Sequence, residues 1–194
     1  MILHAAARVM GRVGPAGLTL AAVAREVELV PGTLVQRFGS KRGLLLALAD
    51  RSVQYASELA GRVRQSHDSA LGALAALTVE SVSAMATPES FANHLAFLCM
   101  DLTDPELYER ALAVHRAHAQ AIEELLAEAA GTGELRAGTD VAALARTVQA
   151  VTAGAGLTWA LERQGTLEQR LRQELDAVLS PHVPPRHSHD LEEA

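Results

Sequence analysis

A single cysteine, Cys99, among 194 residues leaves no intrachain disulfide to form. The fold must therefore rest on its apolar core, and a reducing cytoplasm is the simplest compartment. Aromatic residues are scarce, with one Trp, two Tyr and three Phe, which disfavours a broad stacking pocket for flat ligands. Lysine occurs once, as Lys41, and asparagine once, against abundant Ala, Arg and Gly. That bias is the one a GC-rich bacterial coding genome produces. No apolar run approaches the roughly 20 residues that span a bilayer, and no charged stretch leading into an apolar segment and cleavage site marks a secretory signal. His94 and Cys99 are too isolated to form a nucleophile and its base, and no glycine-rich phosphate loop or nucleophile elbow occurs; an enzyme is not expected. His115 and His118 could share a helix face, but no Cys or His cluster completes a metal site. Neither a metal nor a cofactor is expected.

What is present is apolar and periodic. Nearly half the residues (49%) are hydrophobic, enough to bury a sizeable core. The net charge of −6 is unevenly spread. Residues 1–50 hold Arg8, Arg12, Arg25, Arg37, Lys41 and Arg42 against Glu26, Glu28 and Asp50, a net of +3, which leaves −9 for the remainder. A basic head on an acidic body suits a head that meets phosphate.

The periodicity is helical throughout, and about nine helices are expected in an all-α fold. Ile2, Ala5, Ala6, Val9, Met10 and Val13 share one face of a first helix, which Gly14-Pro15 ends. Thr19 caps a second helix with the stripe Leu20, Val23, Ala24 and Val27. After a turn at Glu28-Leu29, Pro31 opens a third helix that Gly39 stops; Ser40 caps a fourth running to about Gln65. Asp68 or Ser69 opens a helix ending near Ala86. Thr87-Pro88-Glu89 and Asp104-Pro105-Glu106 each combine an oxygen cap, a first-turn proline and a carboxylate favoured by the helix dipole. Asp140 caps a helix striped by Val141, Leu144, Ala145, Val148, Val151, Ala155 and Trp159. Thr166 to Gln169 forms a capping box for the last helix. The tail 181–194, with His187 and His189, lacks periodicity and is expected to be disordered.

Residues 18–45 carry the functional signal. At about 100° per residue, Leu34 and Phe38 of the third helix point one way, Gly32, Thr33 and Gln36 the other, and Val35 and Arg37 lie on the flanks. This suits a short helix in a DNA major groove: Gly32 permits close approach, Thr33 offers a hydroxyl and a methyl, and Gln36 can pair with adenine. Arg37 stands at the rim. Ser40 and Lys41, at the start of the next helix, make a phosphate clamp. Thr19 joins them at the start of the second helix. On spacing alone, the packed corner of a helical bundle explains the stretch equally well.

The same residues carry a resemblance. Ala5-Ala6, Gly17-Leu18-Thr19-Leu20, Ala24, Pro31-Gly32-Thr33-Leu34, Phe38-Gly39-Ser40-Lys41 and Leu44-Leu45 resemble the N-terminal domain of the TetR family of transcriptional regulators over residues 2–48. The stretches DLTDPELYERAL and TGELRAGTD are similar to those of family members. The resemblance implies a helix-turn-helix domain over 1–48 and a helical ligand-binding and dimerisation domain over 49–180. It implies a homodimer that binds a near-palindromic double-stranded operator, as a repressor relieved by a small molecule. Three positions depart from it. Glu28 replaces a glycine suited to a left-handed turn, at a cost of about 1 kcal/mol. Val30 replaces a capping serine, at a similar cost of about 1 kcal/mol, and Val35 replaces a tyrosine that reaches phosphate. Family members also carry a basic arm before the first helix, within which this sequence begins. These departures support an alternative: a small-molecule-binding or interaction protein of the same fold with weakened operator recognition.

In the body, the helices from Asp140 and Thr166 form the dimer pair that the resemblance implies, with Val148, Val151, Ala155, Leu171, Leu175 and Val178 as interface residues. Gly154 and Gly156 cost helix propensity, which fits the close approach of another backbone. Candidates for the ligand pocket are Phe91, His94, Leu95, Leu98, Met100, Tyr108, His115 and Trp159, each of which core packing also explains. A mostly aliphatic pocket with one or two polar anchors is expected.

Overall fold

The computed structural model describes residues 1–185. His187 and His189 lie outside them. The described chain consists of α1 (Ile2–Gly17), α2 (Leu20–Glu26), α3 (Pro31–Phe38), α4 (Lys41–Gln65), α5 (Ala70–Glu80), α6 (Pro88–Asp101), α7 (Pro105–Gly131), α8 (Val141–Glu162), α9 (Leu167–Leu179) and a 3-10 turn, η1 (Ser180–His182). The helix starts are where side-chain oxygens can cap them. Thr19, Ser40, Ser69, Thr87, Asp104, Asp140 and Thr166 each accept a backbone N–H of the first turn, which supplies partners that helix ends otherwise lack. The expected break in α1 occurs at Gly14, whose φ of 68° and ψ of 177° are not helical.

Two apolar cores form. The head core joins Ile2, Ala5, Ala6, Val9 and Met10 of α1 to Val23, Ala24, Leu34, Leu44, Leu45 and Leu48. The body core joins Leu59 and Val63 of α4 to faces of α5, α7, α8 and α9. α4 therefore runs through both cores, and the expected boundary at residue 48 falls inside a continuous helix. A smaller cluster of Ala155, Trp159, Leu167 and Leu171 closes the far end of α8 and α9.

Two expectations need correction. The fifth helix ends at Glu80, not near Ala86. Beyond it, Ser81 Oγ donates to the Thr78 carbonyl at 2.9 Å and residues 82, 83 and 85 bond three residues back, so hydroxyl competition and tighter turns replace the helical ladder. The tail is ordered at its start: the Arg136 backbone N–H donates to the His182 carbonyl at 2.7 Å, Arg136 Nε donates to the Val183 carbonyl at 3.1 Å, and Val183 packs on the body core.

The expected dimer residues lie mostly within the chain's own cores. Val148, Ala155, Leu171 and Leu175 are buried within their own chain, and Val151 is half-buried, as is Val178 against the body core. The face of α8 left outward carries Ala150, Ala153, Gly154, Leu157 and Leu161. Gly156 is covered within its own chain. A Cβ there would lie 2.4 Å from Cε2 of Phe91, so glycine admits the chain's own aromatic ring.

Candidate nucleic-acid interface

α2 and α3 meet at the turn 27–30. Glu28 has φ of 56°, the left-handed backbone that glycine tolerates best. The Leu29 N–H closes the turn on the Ala24 carbonyl at 2.9 Å. Thr19 Oγ1 accepts the Ala22 N–H at 3.0 Å and so serves as a cap. Val30 makes no side-chain cap bond to α3, and Pro31 provides the first helical residue.

Within α3 only Leu34 is fully buried, and Phe38 packs partly on the head core. Pro31, Gly32, Thr33, Val35, Gln36 and Arg37 are exposed. The helix is thus anchored by one side and presents the other. Nothing lies within 4 Å of where a Gly32 Cβ would project, so the presented side is slim. Ser40 Oγ accepts the Gly43 N–H at 3.1 Å, and Lys41 Nζ donates to the Ala16 carbonyl at 3.0 Å. Both residues sit beside α3, with the hydroxyl and the ammonium each holding local structure.

The head's positive charge is more restricted than its sequence suggests. Glu26 accepts from Arg12 at 2.6 Å and from Arg8 at 3.3 Å, which pins α2 to α1. The hydrogen bond from Arg12 holds the Glu26 carboxyl below its ordinary range. Arg42 donates to Asp104 and to Glu106 of α7, and the bond from Arg42 lowers the Asp104 pKa to about 2. Among the described residues, no carboxylate pairs with Arg25, Arg37 or Lys41. Arg25 and Arg37 are exposed on α2 and α3, and Lys41 is half-buried beside them.

One further contact joins head to body and another ties α4 to α7, and sequence reasoning missed both. The single asparagine, Asn93 of α6, donates from Nδ2 to the Gly11 carbonyl of α1 at 2.8 Å. Arg110 of α7 donates to Asp50 of α4 at 2.6 Å. The only sequence signal was an asparagine in a chain that otherwise avoids the residue. Asp101, the last residue of α6, is buried with Oδ1 lacking any hydrogen-bond partner. Burial, with the nearby Asp104 charge, raises its pKa to about 6.

The ligand-pocket candidates fall into three environments. Phe91 and Trp159 pack edge to face with centroids 6.4 Å apart, and Trp159 Nε1 donates to the Gly165 carbonyl. His94 lies against Gly11 of α1, and Met100 packs partly on the head core. Leu95, Leu98, Tyr108 and His115 are exposed, His115 with Gln149 as a neighbour at 3.3 Å. Burial holds the His118 pKa below its ordinary value, with the His115 charge adding to the effect. Two clefts of about 320 Å³ both lie on the head, one lined by residues including Ile2, His4, Arg37 and Arg51 and the other by residues including Val9, Arg12, Arg25 and Glu26. Among the described residues, no group of three or more His, Cys, Asp or Glu side chains is placed to hold a metal, and no helix is long and apolar enough to cross a membrane.

Comparison with known proteins agrees with this arrangement. Residues 2–48 match the family described as bacterial regulatory proteins, tetR family. Residues 97–175 match the tetracyclin repressor-like C-terminal domain. No curated protein sequence matches the chain. Among solved structures, a protein from Rhodococcus sp. assigned to the TetR-family regulators is 24% identical, with a TM-score of 0.68 over 94% of this chain and 96% of that one. SmeT, the repressor of the Stenotrophomonas maltophilia efflux pump SmeDEF, is 22% identical with a TM-score of 0.68, over 95% and 90%. A transcriptional regulator from Saccharomonospora viridis in complex with choline is 20% identical with a TM-score of 0.75, over 94% and 95%. With both its reading head and its body matched, the chain belongs to the TetR family of bacterial transcriptional regulators.

Proposed function

We propose that the protein is a cytoplasmic repressor that acts as a homodimer on a near-palindromic operator and is released by a small-molecule effector. The observation that carries this reading is α3, held by buried Leu34 while Gly32, Thr33, Gln36 and Arg37 stand exposed between the cations Arg25 and Lys41. In a dimer, two such helices would enter successive major grooves, with Gln36 at base edges and Arg37 and Lys41 at phosphates. The head, residues 1–48, reads DNA, and the body, residues 49–180, binds effector and partner. The outward face of α8, with Leu157 and Leu161 among small residues, supports a dimer contact there in place of the buried stripe. The efflux-pump repressor SmeT, also solved with triclosan, and the choline-bound regulator support an effector for this body. Bound among α6, α7 and α8, an effector would move the head through the Asn93–Gly11 bond and the Arg42 clamp, by binding the non-reading form more tightly.

The test is a selection of bound sequences from a random duplex pool, followed by titration at several salt concentrations. A palindromic motif should emerge, with affinity falling steeply as salt rises. Arg37→Ala and Lys41→Ala should each weaken binding across all sequences, while Gln36→Ala should relax preference at one position of each half-site. A pool with no enriched motif refutes the reading. The strained Glu28 and the uncapped α3 favour a second reading, in which operator recognition has weakened. Val30→Ser with Val35→Tyr would then raise affinity for DNA without changing the preferred motif.

A further inference from the structure

Val30 is 70% exposed and Val35 is 50% exposed, in a stretch whose other large apolar side chains are packed. Val27, Leu29 and Phe38 all lie against the head core, and Leu34 is fully buried within it. Val30 precedes the first turn of α3, and Val35 stands one turn in, on the flank opposite Arg37. Both therefore border the exposed surface made by Gly32, Thr33 and Gln36. An isopropyl group can neither donate nor accept a hydrogen bond, so neither residue can hold phosphate or read a polar base edge. The C5-methyl of thymine is the one apolar feature that the bases present in the major groove. The surrounding cations, Arg25, Arg37 and Lys41, supply the charge complementarity that brings DNA to this surface.

We propose that Val30 and Val35 are specificity-determining residues that each read a thymine methyl in the operator half-site. The inference rests on the DNA-reading function proposed above. It reverses the meaning of two departures from the family pattern, since the lost cap and the lost phosphate hydroxyl become apolar base readers. Each methyl covered by a valine adds close to one buried methyl group of affinity, about threefold to fivefold. Removing it from both half-sites of a palindrome compounds the loss to about ninefold to twenty-fivefold.

The experiment uses the intact protein and the motif selected from the random pool. Each thymine of the motif is replaced in turn by deoxyuridine, which removes the methyl and keeps every hydrogen-bonding group. The expected result is a loss at two positions per half-site, with Val30→Ala abolishing the dependence at one and Val35→Ala at the other. Each variant should bind its uracil duplex as well as the unaltered protein does. Selected half-sites without thymine, equal binding of thymine and uracil duplexes at every position, or full methyl dependence kept by both variants would overturn the inference while leaving DNA reading intact. A pool that yields no motif overturns both.

Discussion

Asp101→Asn should stabilise the protein at neutral pH and leave it unchanged in acid. Asp101 is 7% exposed at the end of α6, and its Oδ1 has no donor. Its pKa rises from an ordinary 3.8 to about 6 on folding, through burial first and the Asp104 charge second. The folded chain thus holds this proton more tightly than the unfolded chain. Stability from this group is complete below pH 3.8, declines as pH rises towards 6, and stays low above it. At about 1.4 kcal/mol per pH unit, ionising Asp101 in place costs up to about 3 kcal/mol at pH 7.5. The amide keeps an oxygen for the buried position and carries no charge, so the gain should be about 1–3 kcal/mol. Urea denaturation followed by circular dichroism at pH 3.5 and pH 7.5 measures it. For a chain of this size the thermal midpoint should also rise by about 2–4 °C per kcal/mol. An equal effect at both pH values, or a loss at pH 7.5, would refute the account of Asp101 as an uncompensated charge.

Three other experiments probe separate parts of the structure. Glu28→Gly should stabilise the head by about 1 kcal/mol, because φ of 56° suits glycine; an unchanged or lower urea midpoint would argue against strain there. Gly156→Ala should destabilise by about 1–3 kcal/mol, as its Cβ would lie 2.4 Å from the Phe91 ring. Phe91→Ala should then cost less in the Gly156→Ala background than alone, a coupling that a double-mutant cycle reads directly. Leu157→Asp with Leu161→Asp should shift sedimentation from dimer to monomer with the helical signal retained, and persistence of the dimer would move the contact off this face of α8.

Much of the fold follows from local chemistry. Thr19, Ser40, Thr87, Asp104, Asp140 and Thr166 cap helices because a side-chain oxygen reaches its own first turn, an interaction spanning two or three residues. The same locality makes the exposed side of α3 readable from spacing, and the left-handed turn at Glu28 readable from the family pattern. The body was harder to read. A stripe such as Val148, Ala155, Leu171 and Leu175 announces that it is buried without saying against what, because periodicity defines a face and not its partner. Packing decided that these residues close their own core, that Gly156 admits Phe91, and that Leu157 and Leu161 are left outside. Charge behaved likewise. Counting placed six cations in the head, whereas the tertiary structure turned Arg8 and Arg12 onto Glu26 and Arg42 onto Asp104, so that among the described residues only Arg25, Arg37 and Lys41 of the six have no carboxylate partner. The sequence alone determined helices, caps and a reading surface, because those depend on neighbours within a turn. Only the tertiary structure decided which faces and charges remain free, since that depends on residues far apart in the chain, such as Asn93 meeting Gly11 and Arg42 meeting Asp104.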